Sequence, residues 1–140
     1  MIGNVKKLIG RGKMQQVNKV RVLVADDSKP SKMLTIILLQ SLGCDVTGAD
    51  DGFEALEITS QQPFDLIFLD ENMPGLQGSE VAEKLSNSTG INATIPKISL
   101  TGLVGEISID NLYKKGITHY IEKPVSKDAL ARFLAEWHGG

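Results

Sequence analysis

The sequence predicts an α/β domain, a doubly wound parallel sheet of five strands with helices on both faces. Two observations carry this. Five short runs rich in apolar or β-branched residues, at 20–25, 45–49, 66–69, 95–100 and 119–122, alternate with stretches of helical pattern, and short connections place each crossover on a sheet face. Four of these five runs also end in chemistry: Asp26-Asp27, Asp70, Thr101-Gly102 and Lys123-Pro124. Sites in such sheets lie outside the carboxyl ends of the strands. Parallel pairing would therefore gather three carboxylates, a hydroxyl and an ammonium at one edge.

Taken in order, Val20 to Ala25 is a β-branched run and reads as a buried strand. Ser28-Lys29-Pro30 starts a helix, with proline in its first turn, and Gly43 stops it. Asp45-Val46-Thr47-Gly48-Ala49 is a weaker second strand. Asp51-Gly52-Phe53-Glu54 reads as a capping box opening a helix to about Gln61. Pro63 breaks the chain before the third strand, and Met73-Pro74-Gly75 is a loop ahead of a third helix over 78–86. A polar loop over 86–94, with no legible chemistry, leads to a fourth strand that starts at Ile95 despite Pro96. The fourth helix, over about 106–115, ends at Gly116. Its preceding glycines, Gly102 and Gly105, and its β-branched Ile107 and Ile109 make it weak, and its first turn is expected to be mobile. The fifth strand follows, and a closing helix over 127–137 sets Leu130, Phe133, Leu134 and Trp137 on one face.

The chain has 140 residues, 41% of them hydrophobic, which suffices for one domain with a packed core. A net charge of -2 gives no reason to expect direct nucleic-acid binding. The apolar run from Met33 to Leu39 is too short to span a bilayer, and no signal-peptide pattern opens the chain. The single cysteine, Cys44, reads as a small buried side chain. A cytoplasmic setting is expected. Residues 1–19 form a basic leader or linker ahead of a domain over 20–138. They carry Lys6, Lys7, Arg11, Lys13 and Lys19 and no acid. They read as a linker or the end of a preceding helix, against the alternative of an amphipathic membrane- or partner-binding segment built on Ile2, Val5, Leu8 and Ile9.

The chemistry follows from the strand ends. A carboxylate such as Asp70 attacks phosphorus and forms an aspartyl phosphate. Asp26 and Asp27 would repel it and each other unless a cation intervened. Mg²⁺ suits this because it takes one or two carboxylates together with phosphate oxygens and water. Capping of the first helix explains one aspartate, not two. Phosphoryl transfer asks chiefly for positioning and charge neutralisation. Lys123 supplies a compact point charge, Thr101 a hydroxyl donor, and Gly102 a backbone N–H that no side chain screens. Asp51 is expected to cap rather than to bind metal, and Glu71 to point away from Asp70 by strand alternation. His119 and His138 have no partner at metal-ligand spacing.

Val24-Ala25-Asp26-Asp27-Ser28, Leu69-Asp70-Glu71-Asn72-Met73-Pro74-Gly75, Leu100-Thr101-Gly102 and Tyr120-Ile121-Glu122-Lys123-Pro124 occur in one order with compatible spacings. With these motifs the chain, from about Val20 to Trp137, resembles the CheY-like receiver domains of bacterial two-component response regulators. The resemblance implies a flavodoxin-like three-layer sandwich with strand order 2-1-3-4-5. It implies that Asp70 accepts a phosphoryl group from a phosphohistidine on a sensor histidine kinase or His phosphotransfer domain. Mg²⁺ would be held by Asp27, Asp70 and the backbone carbonyl of Asn72, with Asp26 acting through water. Lys123, followed by a cis Pro124, would contact the phosphoryl group. Thr101 and Tyr120 would form a switch that alters the face of the fourth helix, fifth strand and fifth helix for a downstream partner. Leu103, flanking the path of hydrolytic water, would slow its entry. The chain departs from the family pattern at Gly102, where alanine is commoner, and at Gln77, often acidic in the family.

Asp70-Glu71-Asn72-Met73-Pro74 and Lys123-Pro124-Val125-Ser126-Lys127 also resemble receivers of hybrid histidine kinases, which pass phosphate to a His phosphotransfer protein; the basic leader would then be a linker from an upstream kinase. The competing enzyme class is the haloacid-dehalogenase type of phosphatase. It needs an acid/base aspartate two residues past the nucleophile, where this chain has Asn72. An interaction module with a dead site is disfavoured by the complete set of Asp26, Asp27, Asp70, Thr101 and Lys123.

Overall fold

The computed structural model of the chain describes residues 5–9, 13–17, 19–102 and 109–137. The described residues form two sheets. Strands β1 (Val5–Ile9) and β2 (Lys13–Val17) pair antiparallel, with Val5 opposite Val17 and Ile9 opposite Lys13. The leader therefore contains a strand pair where the sequence pointed to a linker or helix end. The reason is local: Gly10-Arg11-Gly12 stands between two five-residue segments, a three-residue glycine-bearing spacing typical of hairpins.

The second sheet has five strands: β3 (Arg21–Ala25), β4 (Asp45–Ala49), β5 (Leu66–Asp70), β6 (Lys97–Thr101) and β7 (His119–Glu122). Their order is β4-β3-β5-β6-β7, all parallel. That is the predicted 2-1-3-4-5 arrangement, and the topological switch falls between β3 and β5. The helices are α1 (Lys29–Ser41), α2 (Gly52–Gln61), α3 (Gly78–Ser86), α4 (Ile109–Lys114) and α5 (Lys127–Glu136). The expected mobile first turn of the fourth helix, and Leu103, lie outside the described residues.

Strand alternation divides the core in two. Val22, Val24, Leu66, Phe68, Ile98 and Leu100 pack with Leu39 of α1 and Leu130 of α5. Leu23, Ala25, Ile67 and Leu69 pack on the other face with Ala55 of α2, Val81 and Leu85 of α3 and Leu112 of α4. Phe133 joins α5 to the sheet by edge-on contacts with Phe68 at 5.8 Å and His119 at 5.0 Å between ring centroids. Trp137 packs against the same cluster, and Cys44 is buried, with burial pushing its thiol up to about 11. Among the described residues, no helix is long and apolar enough to cross a membrane.

Local chemistry sets the element ends. The helix-stop glycines Gly43 and Gly116 have φ of 93° and 99°, the left-handed region that β-carbons disfavour. Asp51 accepts the Glu54 N–H at 2.8 Å, while Glu54 reaches back to the N–H of Asp50. The predicted cap is thus present, with its return bond displaced by one residue. The fourth strand begins at Lys97 rather than Ile95: Pro96 has no N–H for the ladder, and its carbonyl accepts from Ile67. The loop after α3 is pinned by Asn92, which is 1% exposed. Its amide donates to the carbonyls of Thr59 and Gln62 and accepts the N–H of Phe64.

Candidate functional site: a carboxylate cluster at the sheet edge

The turn after β3 fixes the first part of the site. Asp26 is fully buried, and its Oδ1 accepts the Ser28 N–H at 2.9 Å. Ser28 caps α1, its hydroxyl accepting the Ser31 N–H at 3.4 Å. Asp27 is therefore not the helix cap and remains exposed beside Asp26. Asp70 ends β5, 4% exposed, at the topological switch. Carboxylate oxygens of Asp26, Asp27 and Asp70 all lie within 4.8 Å of one another. Lys123 arrives from the end of β7, its Nζ 3.1 Å from Asp26 Oδ2 and 3.2 Å from Asp70 Oδ1. The Lys123–Pro124 peptide is cis.

The electrostatics separate the two buried carboxyls. Burial pushes Asp26 upward, but the Ser31 hydroxyl, the Ser28 N–H and the Lys123 ammonium outweigh it and hold Asp26 below 3.8. Burial, and then the neighbouring Asp26, push Asp70 up to about 6, against the pull of Lys123. Burial opposes the charge on Lys123, but Asp70 and Asp26 more than compensate and raise its pKa. Three carboxylates meet beside one ammonium, which pairs with two of them, so negative charge is in excess at a partly buried site. Hard oxygen donors in that excess suit a divalent cation such as Mg²⁺.

The remaining predicted residues lie on or just past β5, β6 and β7. Thr101 is 1% exposed at the end of β6. Gly102 follows it, and a Cβ there would meet only Lys123 Cβ, at 3.9 Å. A side chain would fit, so the absence of one is not a steric requirement. The Asn72 N–H reaches Asp70 Oδ1 at 3.4 Å, placing that peptide against the carboxylate. Tyr120 is 39% exposed on β7, opposite Ser99 and on the same sheet face as Thr101. Asp50 lies outside the cluster and pairs with Lys32. Glu71 points away from Asp70, as expected, and its carboxyl takes both the N–H and the hydroxyl of Ser79.

Sequence reasoning missed Ser31, Ser79 and the close approach at Gly78. A Cβ on Gly78 would sit 2.5 Å from the backbone oxygen of Asp70 and 3.0 Å from its carbonyl carbon. Only a glycine lets α3 approach the end of β5 so closely. Gly78→Ala is expected to destabilise the fold by about 2 kcal/mol, the usual scale of forced overpacking, and to shift the Asp70 amide resonance. Denaturant unfolding and an amide spectrum check both; an unchanged midpoint would show that α3 moves away at no cost.

Fold and edge chemistry together define a receiver-type module. The chain matches the response regulator receiver domain family over residues 22–135 and belongs to that family. It is 29% identical over 121 residues to the sensor protein GacS of Pseudomonas syringae, covering 85% of this chain but 13% of that protein. It is 35% identical over 122 residues to protein PilG of Pseudomonas aeruginosa, covering 83% of this chain and 85% of PilG. Among solved structures, the receiver domain of a Pseudomonas aeruginosa sensor histidine kinase has a TM-score of 0.77 at 27% identity. That match covers 86% of this chain and 98% of the other, whose active-site cleft coordinates a magnesium ion. The family is one of receivers rather than an enzyme class, so the dehalogenase-type alternative has no support.

Proposed function

We propose that this protein is a Mg²⁺-dependent phosphoacceptor of a phosphorelay in the cytoplasm, with Asp70 as the accepting residue. The observation that carries this is the meeting of Asp26, Asp27 and Asp70 within 4.8 Å, with Lys123 bridging two of them, at the switch point of the sheet. A carboxylate oxygen of Asp70 attacks the phosphorus of a phosphohistidine. The P–N bond breaks, its electron pair leaves with the imidazole, and an acyl phosphate forms on Asp70. Asp27, Asp70 and the Asn72 backbone carbonyl would hold Mg²⁺, with Asp26 acting through water; the ion supplies charge neutralisation on the transferring oxygens. Lys123 then exchanges a carboxylate partner for a phosphoryl oxygen, and Thr101 and the Gly102 N–H donate to the others. Tyr120, on the same face as Thr101, couples that movement to the surface of α4, β7 and α5, where a downstream partner would bind.

The donor would be a sensor histidine kinase or a His phosphotransfer domain. On α1, Met33, Leu34 and Ile37 are 56%, 45% and 52% exposed, next to a groove that runs from Leu34 to Lys123 and Pro124. Such an apolar helix face beside the acceptor suits helix-on-helix docking. Ile37→Glu is expected to slow transfer from the phosphorylated His protein at least tenfold, the scale of about 1.4 kcal/mol, while altering uptake from acetyl phosphate far less. Equal slowing with both donors would place the donor elsewhere.

A receiver segment within a hybrid histidine kinase is the second reading, favoured by the 13% share of GacS that the chain spans. Phosphate would then pass onward to a His phosphotransfer protein. The direct test of the main reading is incubation with acetyl phosphate and Mg²⁺. A mass gain of one phosphoryl group, abolished by chelator, is expected; no gain with Mg²⁺ present would end the case.

A further inference from the structure

Glu71 stands between the proposed acceptor and the proposed metal-ligating carbonyl, and each of its polar groups is engaged. Its N–H donates to Leu100 O at 3.1 Å, tying it to β6 one residue before Thr101. Its carbonyl accepts the N–H groups of Met73 at 3.2 Å and Gly78 at 3.3 Å. Its carboxyl, on a residue only 7% exposed, accepts the Ser79 N–H on Oε1 and the Ser79 hydroxyl on Oε2, each at 2.8 Å. Ser79 is itself 2% exposed. The same short stretch of α3 presses Gly78 against the Asp70 carbonyl.

We infer that the Glu71–Ser79 pair is a positioning device that holds the Asn72 peptide in register with the Asp70 carboxyl, so that the metal-binding geometry exists before the metal arrives. The inference rests on the reading of Asp70 as a phosphoacceptor beside Mg²⁺. The physical reason is preorganisation. A carbonyl ligand on a loop loses affinity by the fraction of time it points elsewhere. Two hydrogen bonds to a helix that is sterically locked to β5 remove that freedom. A plain helix cap would need only one oxygen and would not require the capping residue to follow the acceptor directly. Neither residue touches the reacting atoms, so the role is one of positioning.

The test uses the whole chain with Glu71→Ala, Glu71→Gln and Ser79→Ala, and three readouts: thermal midpoint, Mg²⁺ affinity by calorimetry, and amide hydrogen exchange at Asn72 and Met73 without metal. Glu71→Ala is expected to weaken Mg²⁺ binding at least fivefold and to speed exchange at both amides. Glutamine keeps an oxygen for the Ser79 N–H and an amide that donates to its hydroxyl, so Glu71→Gln is expected to restore both to within twofold of wild type. Ser79→Ala should show a partial loss, and the pair of alanines no more than Glu71→Ala alone, because the two act as one unit. Mg²⁺ affinity and exchange unchanged in Glu71→Ala would reduce the pair to a helix cap and overturn the inference. So would a Glu71→Gln variant as impaired as alanine. If Glu71→Ala fails to fold, Ser79→Ala, which deletes one hydroxyl, decides between the same outcomes. A wild-type chain that binds no Mg²⁺ would instead strike at the proposed function itself.

Discussion

Asp70→Asn is expected to abolish phosphoryl uptake from acetyl phosphate and, in metal-free protein at neutral pH, to make the fold more stable. The first half follows from the chemistry, since an amide is no nucleophile toward phosphorus and no other carboxylate of the cluster stands at the end of β5. The second half follows from the electrostatics. Burial, followed by Asp26, raises the Asp70 carboxyl from 3.8 to about 6. The fold thus prefers the protonated form. Its contribution is fully present below 3.8 and is lost as pH rises through about 6. Above both values that amounts to about 3 kcal/mol against the native state. Asparagine mimics the neutral carboxyl and escapes this cost. The unfolding free energies of wild type and variant should therefore diverge as pH rises from 3.8 past about 6. Added Mg²⁺ should narrow the gap by stabilising only the wild type. Denaturant titrations across pH, with and without Mg²⁺, measure this. A variant less stable than wild type at neutral pH would show that the cluster is not under strain from its own charge.

Lys123→Met is expected to have the opposite effect on stability. The ammonium lies 3.1 Å from Asp26 and 3.2 Å from Asp70, and Asp26 has no exposure to water. Removing it leaves two buried carboxyls facing each other with their cation gone. Breaking a buried pair from one side costs on the order of 3 kcal/mol, and methionine keeps the apolar stem, so packing loss is small. The loss should grow as pH rises, because Asp70 joins the already ionised Asp26 only as pH passes about 6. Combining Lys123→Met with Asp70→Asn should recover much of the loss, since the variant removes the charge that Lys123 balanced. Phosphoryl uptake in Lys123→Met should fall roughly a hundredfold, comparable to the loss of one preorganised donor in other sites. A double variant no more stable than Lys123→Met alone would mean that Asp26, not Asp70, is the partner that matters.

Much of this was legible in the residues. Val22 to Ala25 and Leu66 to Leu69 are uninterrupted apolar runs, so their strand character and the polar residues that end them can be read directly. The Asp51–Glu54 cap and the stops at Gly43 and Gly116 are local chemistry and were equally visible. The N-terminal strand pair was not, because Val5 to Ile9 lacks strict alternation and its lysines suggest a solvated helix face. Nothing in the residues links Glu71 to Ser79, since they are eight positions apart and meet only because α3 folds back on β5. Asn92 looked like one polar residue among several, because its partners lie 28 to 33 positions away.

The sequence by itself determined the alternation of strands and helices and which side chains stand just past the strands, because both depend on periodicity and near neighbours. Tertiary structure alone decided that Asp26, Asp70 and Lys123, separated by up to 97 positions, share one small volume. Burial and the distances between charges are properties of the packed chain rather than of any segment of it. For that reason the perturbed acidity of Asp70, and the clamp on the peptide beside it, emerge only once the sheet has closed.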